Sequence, residues 1–315
     1  MIRYAIRFNS YLILTFDKII QFKFNIKNLI LIAISLYFIV GESMKIKNIM
    51  SENVVSIDKN LNICDCLRMM YKDNLSRIPV TSTNENKKVL VGIISEKDIA
   101  DKLGSAKYGN MAPSHFHVST VMVKDLITVD EDDELTDVAK ILIEKNIGAI
   151  PVLSDGEMVG IVTKSDFIYL CKAKAYEKIS VKDIMTTDII SISADDRLIH
   201  ARKVIMDSGV GRLLLTEDNE LAGIITSKDI AKAFVSFRKH TPDKYQSSQI
   251  KELVAGDFMS TNVETISQYA SIPQLADAML ETGYNGYPVV DDEDQIIGIV
   301  TQSDLLKLIY EIETQ

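Results

Sequence analysis

Four short segments of the chain place a hydroxyl three residues before a carboxylate, and this pairing could hold a nucleotide. A hydroxyl can donate to phosphate oxygens, and a carboxylate can accept both hydroxyls of a ribose. Each pair ends a Gly-apolar-apolar-Ser/Thr-x-x-Asp pattern, which predicts a strand running into a helix start. Phosphate is favoured there, because unpaired N–H groups and the helix dipole attract anions. The pairs are Ser95 with Asp98, Thr163 with Asp166, Thr226 with Asp229, and Thr301 with Asp304.

The same residue types also have a structural use. Ser or Thr at the N-cap and Asp at the third helical position form a capping box, which stabilises a helix by about 1 kcal/mol. The last helix of every unit needs an N-cap, so the fourfold repetition of the motif is expected for capping as well as for ligand binding. The two roles are compatible, because bonds within the cap can be exchanged for bonds to a ligand.

The four segments mark an internal repeat of about sixty residues. Each unit has a short segment ending in Met, a strand, an amphipathic helix, two strands joined by a polar turn, and a final helix. In the second unit the first helix is predicted over about residues 135–146. Asp155-Gly156 predicts a hairpin turn. First strands are predicted at 54–57 and 189–192. The sequence therefore predicts a mixed α/β fold of strand–helix–strand–strand–helix units.

Spacers of alternating length group the units into two modules. The long spacers are residues 104–119 and 237–250, and the short one is 173–179. Repeats one and two form the first module, and repeats three and four form the second. The expected boundaries are 44–103 for repeat one, 104–172 for repeat two with its linker, 173–236 for repeat three, and 237–315 for repeat four with its linker.

Four such units in register, three of them with Ile-Pro-Val or Tyr-Pro-Val in the middle strand, resemble CBS domains. This family is named after cystathionine beta-synthase, and its members pair into Bateman modules. The resemblance covers about residues 44–313 and implies four CBS repeats in two Bateman modules. This layout is similar to that of the gamma subunit of AMP-activated protein kinase. It implies that the Ser/Thr and Asp pairs hold the ribose and phosphate of AMP, ADP, ATP or S-adenosylmethionine, with no other cofactor required.

The resemblance also assigns residues that would bind phosphate. Arg77 and Arg212 occupy equivalent positions in repeats one and three, where repeats two and four have Ala149 and Gly286. A planar guanidinium suits phosphate binding. The alternative is an ordinary surface Arg that extends from a strand into solvent.

Two more sets of contacts follow from the resemblance. Hydroxyls after the early Met would touch the ligand, whereas repeat two has Val123 at this position. Repeats one and three are therefore expected to be better phosphate sites than repeat two, because they combine an Arg with a hydroxyl. The hydroxyl residues are Ser51, Thr186 and Ser260, and the residues whose backbone would face the base are Ile78, Ile150, Leu213 and Tyr287.

Composition excludes several other classes of protein. The formal net charge is −9, which argues against a duplex nucleic-acid binder. Cys64 and Cys66 would lie on different faces of a helix, and His115 and His117 lack carboxylate or cysteine partners at suitable spacing, so no metal site is expected. No arrangement for nucleophilic catalysis or phosphate-loop binding can be assembled, so we expect no enzyme activity.

The first 43 residues do not follow the repeat pattern. Their apolar run from Leu29 to Val40 is short for a membrane-spanning helix, which needs about twenty residues. Three interpretations remain open: translation begins at Met44, residues 19–41 associate with a membrane, or the segment is a signal peptide. The odd cysteine count favours a cytoplasmic location, with membrane association as the alternative.

The sequence therefore indicates a regulatory protein that senses an adenosine ligand. Binding would shift the arrangement of paired repeats, and an unidentified protein target would detect the shift. A homodimer is one option for its assembly. The rival hypothesis is an interaction scaffold, or the cytoplasmic part of a membrane assembly, in which the repeated motif only caps helices.

Overall fold

The computed structural model describes residues 44–84, 87–105, 112–218 and 220–314. Residues Lys45–Gln315 form one compact unit. The three interpretations of residues 1–43 concern a segment outside the described residues. Within the described part of the chain, no helix combines the length and apolar character needed to cross a membrane.

Repeat one begins with a one-turn 3₁₀ helix, Ile46–Asn48, and then has the five predicted elements. Asn62 caps the first helix, because its side chain accepts hydrogen bonds from the backbone N–H groups of Cys64 and Asp65. The elements are β1 (Ile57–Asp58), α1 (Ile63–Lys72), β2 (Arg77–Asn84), β3 (Lys87–Ser95) and α2 (Glu96–Leu103).

The other three repeats have the same order of elements. In repeat two the last helix is short and continues as a 3₁₀ helix, Ile168–Lys172. Repeat two comprises β4 (Val129–Asp130), α3 (Leu135–Glu144), β5 (Ala149–Ser154), β6 (Glu157–Thr163) and α4 (Lys164–Phe167). Repeat three comprises β7 (Ser191–Ser193), α5 (Leu198–Ser208), β8 (Arg212–Glu217), β9 (Glu220–Thr226) and α6 (Ser227–His240), followed by a connecting helix α7 (Asp243–Gln249). Repeat four comprises β10 (Ile266–Ser267), α8 (Ile272–Thr282), β11 (Gly286–Val290), β12 (Ile296–Thr301) and α9 (Gln302–Glu313).

Each repeat forms its own three-stranded sheet in chain order, with the first strand parallel and the third antiparallel to the middle strand. The first strands are shorter than predicted, because only two or three residues pair with the middle strand. The fold class is confirmed. The register places the first residue of each middle strand opposite the motif hydroxyl, in the pairs Arg77–Ser95, Ala149–Thr163, Arg212–Thr226 and Gly286–Thr301.

The Asp155-Gly156 turn is confirmed as a tight turn between β5 and β6. Both residues have positive φ, +50° and +79°. This conformation suits a two-residue hairpin loop, and glycine and aspartate tolerate it better than most residues. The last helices face the core, since Ile99, Ile168 and Leu305 are almost fully buried.

Repeats pair within a module by exchanging the segments that precede their first strands. Ser51 of repeat one forms a bridge with Ile161 of repeat two, and Val123 of repeat two forms one with Ile93 of repeat one. The second module repeats this exchange with the bridges Thr186–Ile299 and Ser260–Ile224.

The exchange explains the glycine that opens every motif. The sulfur of Met50 lies over Gly160, so that a Cβ at Gly160 would stand 2.6 Å from it. Met185 covers Gly298 in the same way. The glycine therefore makes room for the Met of the partner repeat. The remaining two pairs are Met122 over Gly92 and Met259 over Gly223.

The two modules contact each other repeat by repeat. Helix α2 of repeat one packs along α6 of repeat three, and repeat two contacts repeat four through α3 and α9. At the first of these seams Arg238 of α6 is buried and donates a hydrogen bond to the carbonyl of Leu103, at the end of α2. Arg202 forms an ion pair with Asp101 nearby, with Nη1 and Oδ1 2.7 Å apart.

Candidate functional site

All four motif pairs form capping boxes. In repeat one the Ser95 backbone N–H and hydroxyl both donate to Oδ2 of Asp98, at 2.8 and 2.6 Å. The other repeats have the same two bonds, again to Oδ2 of the Asp. The second carboxylate oxygen, Oδ1, takes no part in the box. The structural interpretation of the motif is therefore confirmed, and one oxygen of each carboxylate is left over for another donor.

Burial distinguishes these boxes from an otherwise similar one. Ser180 and Asp183 form the same hydrogen bonds at an exposed 3₁₀ helix, and these bonds hold the pKa of Asp183 below its ordinary value. At Asp98 and Asp166 burial outweighs the hydrogen bonds and raises the carboxyl pKa. The carboxylates of the motif are thus partly desolvated, which strengthens their interactions with any donor that reaches them.

The predicted hydroxyls lie beside the motif of the partner repeat. The bridge to Ile161 brings Ser51 to repeat two, where its hydroxyl donates a hydrogen bond to Asp166. The equivalent bridges place Ser260 at repeat three, Thr186 at repeat four and Val123 at repeat one. Each motif and the exchanged residue beside it are called a cleft below, and each cleft contains residues of two repeats. Clefts one to four contain Asp98, Asp166, Asp229 and Asp304, respectively.

This exchange corrects the expected ranking of the repeats. Ser51 was expected to equip repeat one, and Val123 to weaken repeat two. Because the segments are exchanged, the hydroxyl of Ser51 lies at cleft two. Cleft one has the exposed side chain of Val123 at this position, where the other clefts have a hydroxyl. Thr186 likewise serves cleft four and not repeat three. The sequence shows that these segments exist but not to which repeat they cross.

Arg77 lies between the two repeats of the first module. It is half-buried, and Asp98 and Glu96 of its own repeat face it. Its guanidinium lies over Gly148 of repeat two, so that a Cβ there would stand 1.7 Å from Nη1. Burial lowers the pKa of Arg77. Among the described residues Arg77 has no hydrogen-bonded or ion-paired partner, which leaves its donors available to an anion.

Arg212 occupies the equivalent place in the second module. Its Nη1 donates to the carbonyl of Gly286 in repeat four, at 3.0 Å. Burial lowers its pKa to about 10, and Asp304 partly offsets this effect. Arg212 therefore lies with Thr186 and Asp304 at cleft four, and not only with the motif of its own repeat. Both arginines were identified from the sequence, but their position across the centre of each module was not.

Two charged residues next to the motifs were missed by sequence reasoning. Lys164 and Glu96 are the first residues of the last helices in repeats two and one. Lys164 donates to the Ser303 hydroxyl of repeat four, at 2.8 Å, and Glu96 faces Lys228 and Asp229 of repeat three. The sequence did contain a signal for them: the residue that follows the Ser or Thr of the motif is acidic in repeat one and basic in repeat two.

The residues expected near the base have buried side chains. Ile78 and Ile150 are fully buried, and Leu213 is nearly so. The hydroxyl of Tyr287 donates to the carbonyl of Ala278 inside repeat four, at 3.0 Å. A base could therefore be contacted only through the backbone of these residues, and their role in binding stays a prediction.

Two surface cavities lie away from the motifs. One, of about 520 Å³, lies between the hairpins of the first module and is lined by Val89, Leu126 and Met158 among others. The other, of about 270 Å³, is lined by residues that include Phe237, Leu253 and Phe258. Neither contains the hydroxyl–carboxylate pairs, whose side chains are bonded to each other in this structure.

The cysteines and histidines do not form a metal site in the described part of the chain. No group of three or more His, Cys, Asp or Glu side chains there could hold a metal ion. Cys64, Cys66 and Cys171 are free thiols, and burial raises the pKa of Cys66 and of Cys171 to about 12. Such thiols are poor nucleophiles and poor metal ligands at neutral pH.

The paired repeats, the exchanged segments and the four capping boxes define a two-module repeat protein. The chain belongs to the CBS domain family, which matches residues 46–105, 118–172, 181–236 and 254–311. This confirms the resemblance inferred from the sequence.

Similar proteins are found among archaea. Protein MJ1225 of Methanocaldococcus jannaschii is 26% identical over 271 residues, which cover 82% of this chain and 95% of that protein. Its crystal structure, described as that of a candidate archaeal homolog of g-AMPK, has a TM-score of 0.75 at 24% identity and covers 84% of this chain and 100% of that one. Protein MJ1404 of the same organism is 27% identical over 274 residues, which are 85% of this chain but 62% of that relative.

A more distant structure shows the same fold. The crystal structure of a conserved protein from Pyrococcus horikoshii has a TM-score of 0.55 at 22% identity and covers 84% of this chain and 100% of that one. At this level of identity the structural likeness concerns the fold, and function has to be argued from the clefts.

Proposed function

We propose that this CBS protein is a non-catalytic regulator that binds adenosine compounds in the clefts between paired repeats. AMP, ADP, ATP and S-adenosylmethionine are the candidate ligands. The description of MJ1225 as a candidate g-AMPK homolog supports this class of function. The main support comes from the way in which each cleft combines residues of two repeats.

A helix cap does not require the residues that gather around it here. The box at Asp304 is complete with Thr301 alone, yet Thr186 and Arg212 from repeat three also reach this cleft. Burial of the Arg212 guanidinium is unfavourable, and Asp304 offsets it only in part, whereas the cap at Asp304 gains nothing from Arg212. This placement of Arg212 is the observation that carries the proposal, since a phosphate would supply a second anion beside the guanidinium.

Ligand binding at such a cleft would change the relation between repeats. A ligand that contacts Asp304 of repeat four and Arg212 of repeat three favours the arrangement in which both contacts form. The seams between modules would transmit the change, and a protein target would bind one arrangement more tightly than the other.

One observation favours the rival scaffold function. The capping boxes are complete without any ligand, so the motif could serve helix formation alone. Thermal unfolding of the full chain with AMP, ATP or S-adenosylmethionine separates the two functions. A ligand at 100 times its dissociation constant adds about 2.7 kcal/mol to the free energy of unfolding. No stabilisation by any of these compounds would favour the scaffold.

A matched pair of variants tests the site itself. Asp304→Asn removes the carboxylate from cleft four, whereas Asp183→Asn removes it from the exposed capping box outside the clefts. Both variants lose a helix cap, worth about 1 kcal/mol. Only Asp304→Asn is expected to reduce the ligand-induced stabilisation. An equal reduction in both would mean that the carboxylates act through stability alone.

A further inference from the structure

In repeats one, two and four the first residue of the last helix faces residues of the opposite module. This position is occupied by Glu96, Lys164, Ser227 and Gln302 in repeats one to four. Lys164 reaches Ser303, and Ser165 donates to Gln302, so the helix starts of repeats two and four meet at their seam. Glu96 faces Lys228 in the same manner at the seam of repeats one and three. The first module thus presents residues of opposite charge to the two clefts of the second.

Cleft four has an excess of positive charge. Lys164 lies beside Asp304 through its bond to Ser303, and Arg212 faces the same carboxylate. Lys307 Nζ is 3.9 Å from Oδ1 of Asp304. Burial and the neighbouring cations Arg77 and Lys307 lower the pKa of Lys164 to about 8. Three cations around one carboxylate leave a surplus that a phosphate group, with a charge near −2, would neutralise.

Cleft three has no such surplus of positive charge. Glu96 is only 6% exposed, and its Oε1 has no hydrogen-bond partner within the described residues. It adds a second carboxylate beside Asp229, and the nearby Lys228 Nζ lies 5.5 Å from the centre of the Tyr71 ring. A phosphate placed here would meet the carboxylates of Glu96 and Asp229, which offset the two cations nearby, Lys228 and Arg77. The titratable groups that face Glu96 are Lys228, Asp229, Arg77, Tyr71 and Cys66.

We propose that the first module sets, across the seams, the ligand charge that each cleft of the second module accepts. Lys164 makes cleft four select phosphorylated adenosine compounds, and Glu96 makes cleft three select adenosine compounds that carry no phosphate. This inference rests on the proposed function, because it assigns ligand classes to clefts that bind adenosine compounds. It also gives the contact between modules a direct role in specificity.

Calorimetric titration of the full chain with AMP and with adenosine tests the assignment. Lys164→Gln should weaken AMP binding at cleft four about tenfold, which corresponds to about 1.4 kcal/mol, and leave adenosine binding unchanged. Glu96→Gln should strengthen AMP binding at cleft three by a similar factor. Asp304→Asn and Asp229→Asn identify which binding event belongs to which cleft.

Controls separate charge from general effects of substitution. Lys88→Gln and Glu293→Gln remove the same charges at exposed positions of the β2–β3 and β11–β12 hairpins, and both should leave the two affinities unchanged. If Lys164→Gln and Glu96→Gln both leave the ratio of AMP affinity to adenosine affinity unaltered, the selection by charge is overturned, but the proposed function is not. A wild-type chain that binds no adenosine compound overturns the proposed function together with this inference.

Discussion

Replacing Glu96 by Gln should stabilise the protein above neutral pH. Glu96 is almost fully buried at the seam between repeats one and three, and burial raises its pKa from 4.5 to about 7. The folded state therefore holds the proton more tightly than the unfolded state does. The stability that this group contributes is fully present below pH 4.5 and is lost as the pH rises through about 7.

The size of the effect follows from the shift. Each pKa unit corresponds to about 1.4 kcal/mol, so the ionised carboxylate costs about 3 kcal/mol at pH 8. Gln has nearly the shape of the protonated acid and cannot ionise. Glu96→Gln should therefore raise the free energy of unfolding by up to about 3 kcal/mol at pH 8 and much less at pH 5. In a chain of this size that equals a rise in melting temperature of about 5–10 °C.

Thermal unfolding at pH 5 and pH 8 measures this difference. Glu293→Gln is the matched control, because Glu293 is exposed, and it should change the melting temperature little at either pH. A Glu96→Gln variant that is no more stable than the wild type at pH 8 would rule out a cost from the ionised carboxylate. An equal gain at both pH values would also rule it out, since the cause would then not be ionisation.

Three further predictions concern the seams and the clefts. Lys164→Gln should stabilise the ligand-free protein at pH 7 by about 2 kcal/mol in thermal unfolding. The reason is that burial lowers the pKa of Lys164 to about 8, so that the ammonium group destabilises the folded protein below that pH. No gain in stability at pH 7 would contradict this. Arg238→Ala should lower the free energy of unfolding by about 3 kcal/mol in denaturant titration, since it leaves the Leu103 carbonyl unpaired and opens a cavity, whereas the exposed Lys239→Ala should not. Gly148→Ala should displace the Arg77 guanidinium and weaken AMP binding about tenfold, or about 1.4 kcal/mol, in calorimetry. Gly211 occupies the equivalent position in repeat three, and a Cβ there would meet no atom within 4 Å. Gly211→Ala should therefore leave AMP binding unchanged.

The sequence predicts the fold well because each repeat is built from local signals. The Gly-apolar-apolar strand, the Ser/Thr-x-x-Asp cap and the Asp155-Gly156 turn each specify their own element over a few residues. The same order of elements can then be checked in four repeats. The length of β1 was not predicted correctly: it is shorter than expected because its pairing with β2 depends on the tertiary arrangement.

The clefts are harder to predict, because their parts come from different repeats. Nothing in the sequence around Ser51 shows that it crosses to Asp166, since an exchanged segment and an unexchanged one have the same local pattern. The positions of Lys164 and Glu96 likewise depend on how the modules face each other. Local chemistry identifies the motif, whereas the grouping of residues into clefts requires the structure.

Calorimetric titration of the full chain with AMP measures whether the clefts bind an adenosine compound. We expect saturable binding, with at least one site weakened by Asp304→Asn and unaffected by Asp183→Asn. The opposite result is folded protein that shows no binding heat and no rise in melting temperature with AMP, ATP or S-adenosylmethionine. That result would rule out adenosine binding by the clefts and leave the four motifs as helix caps.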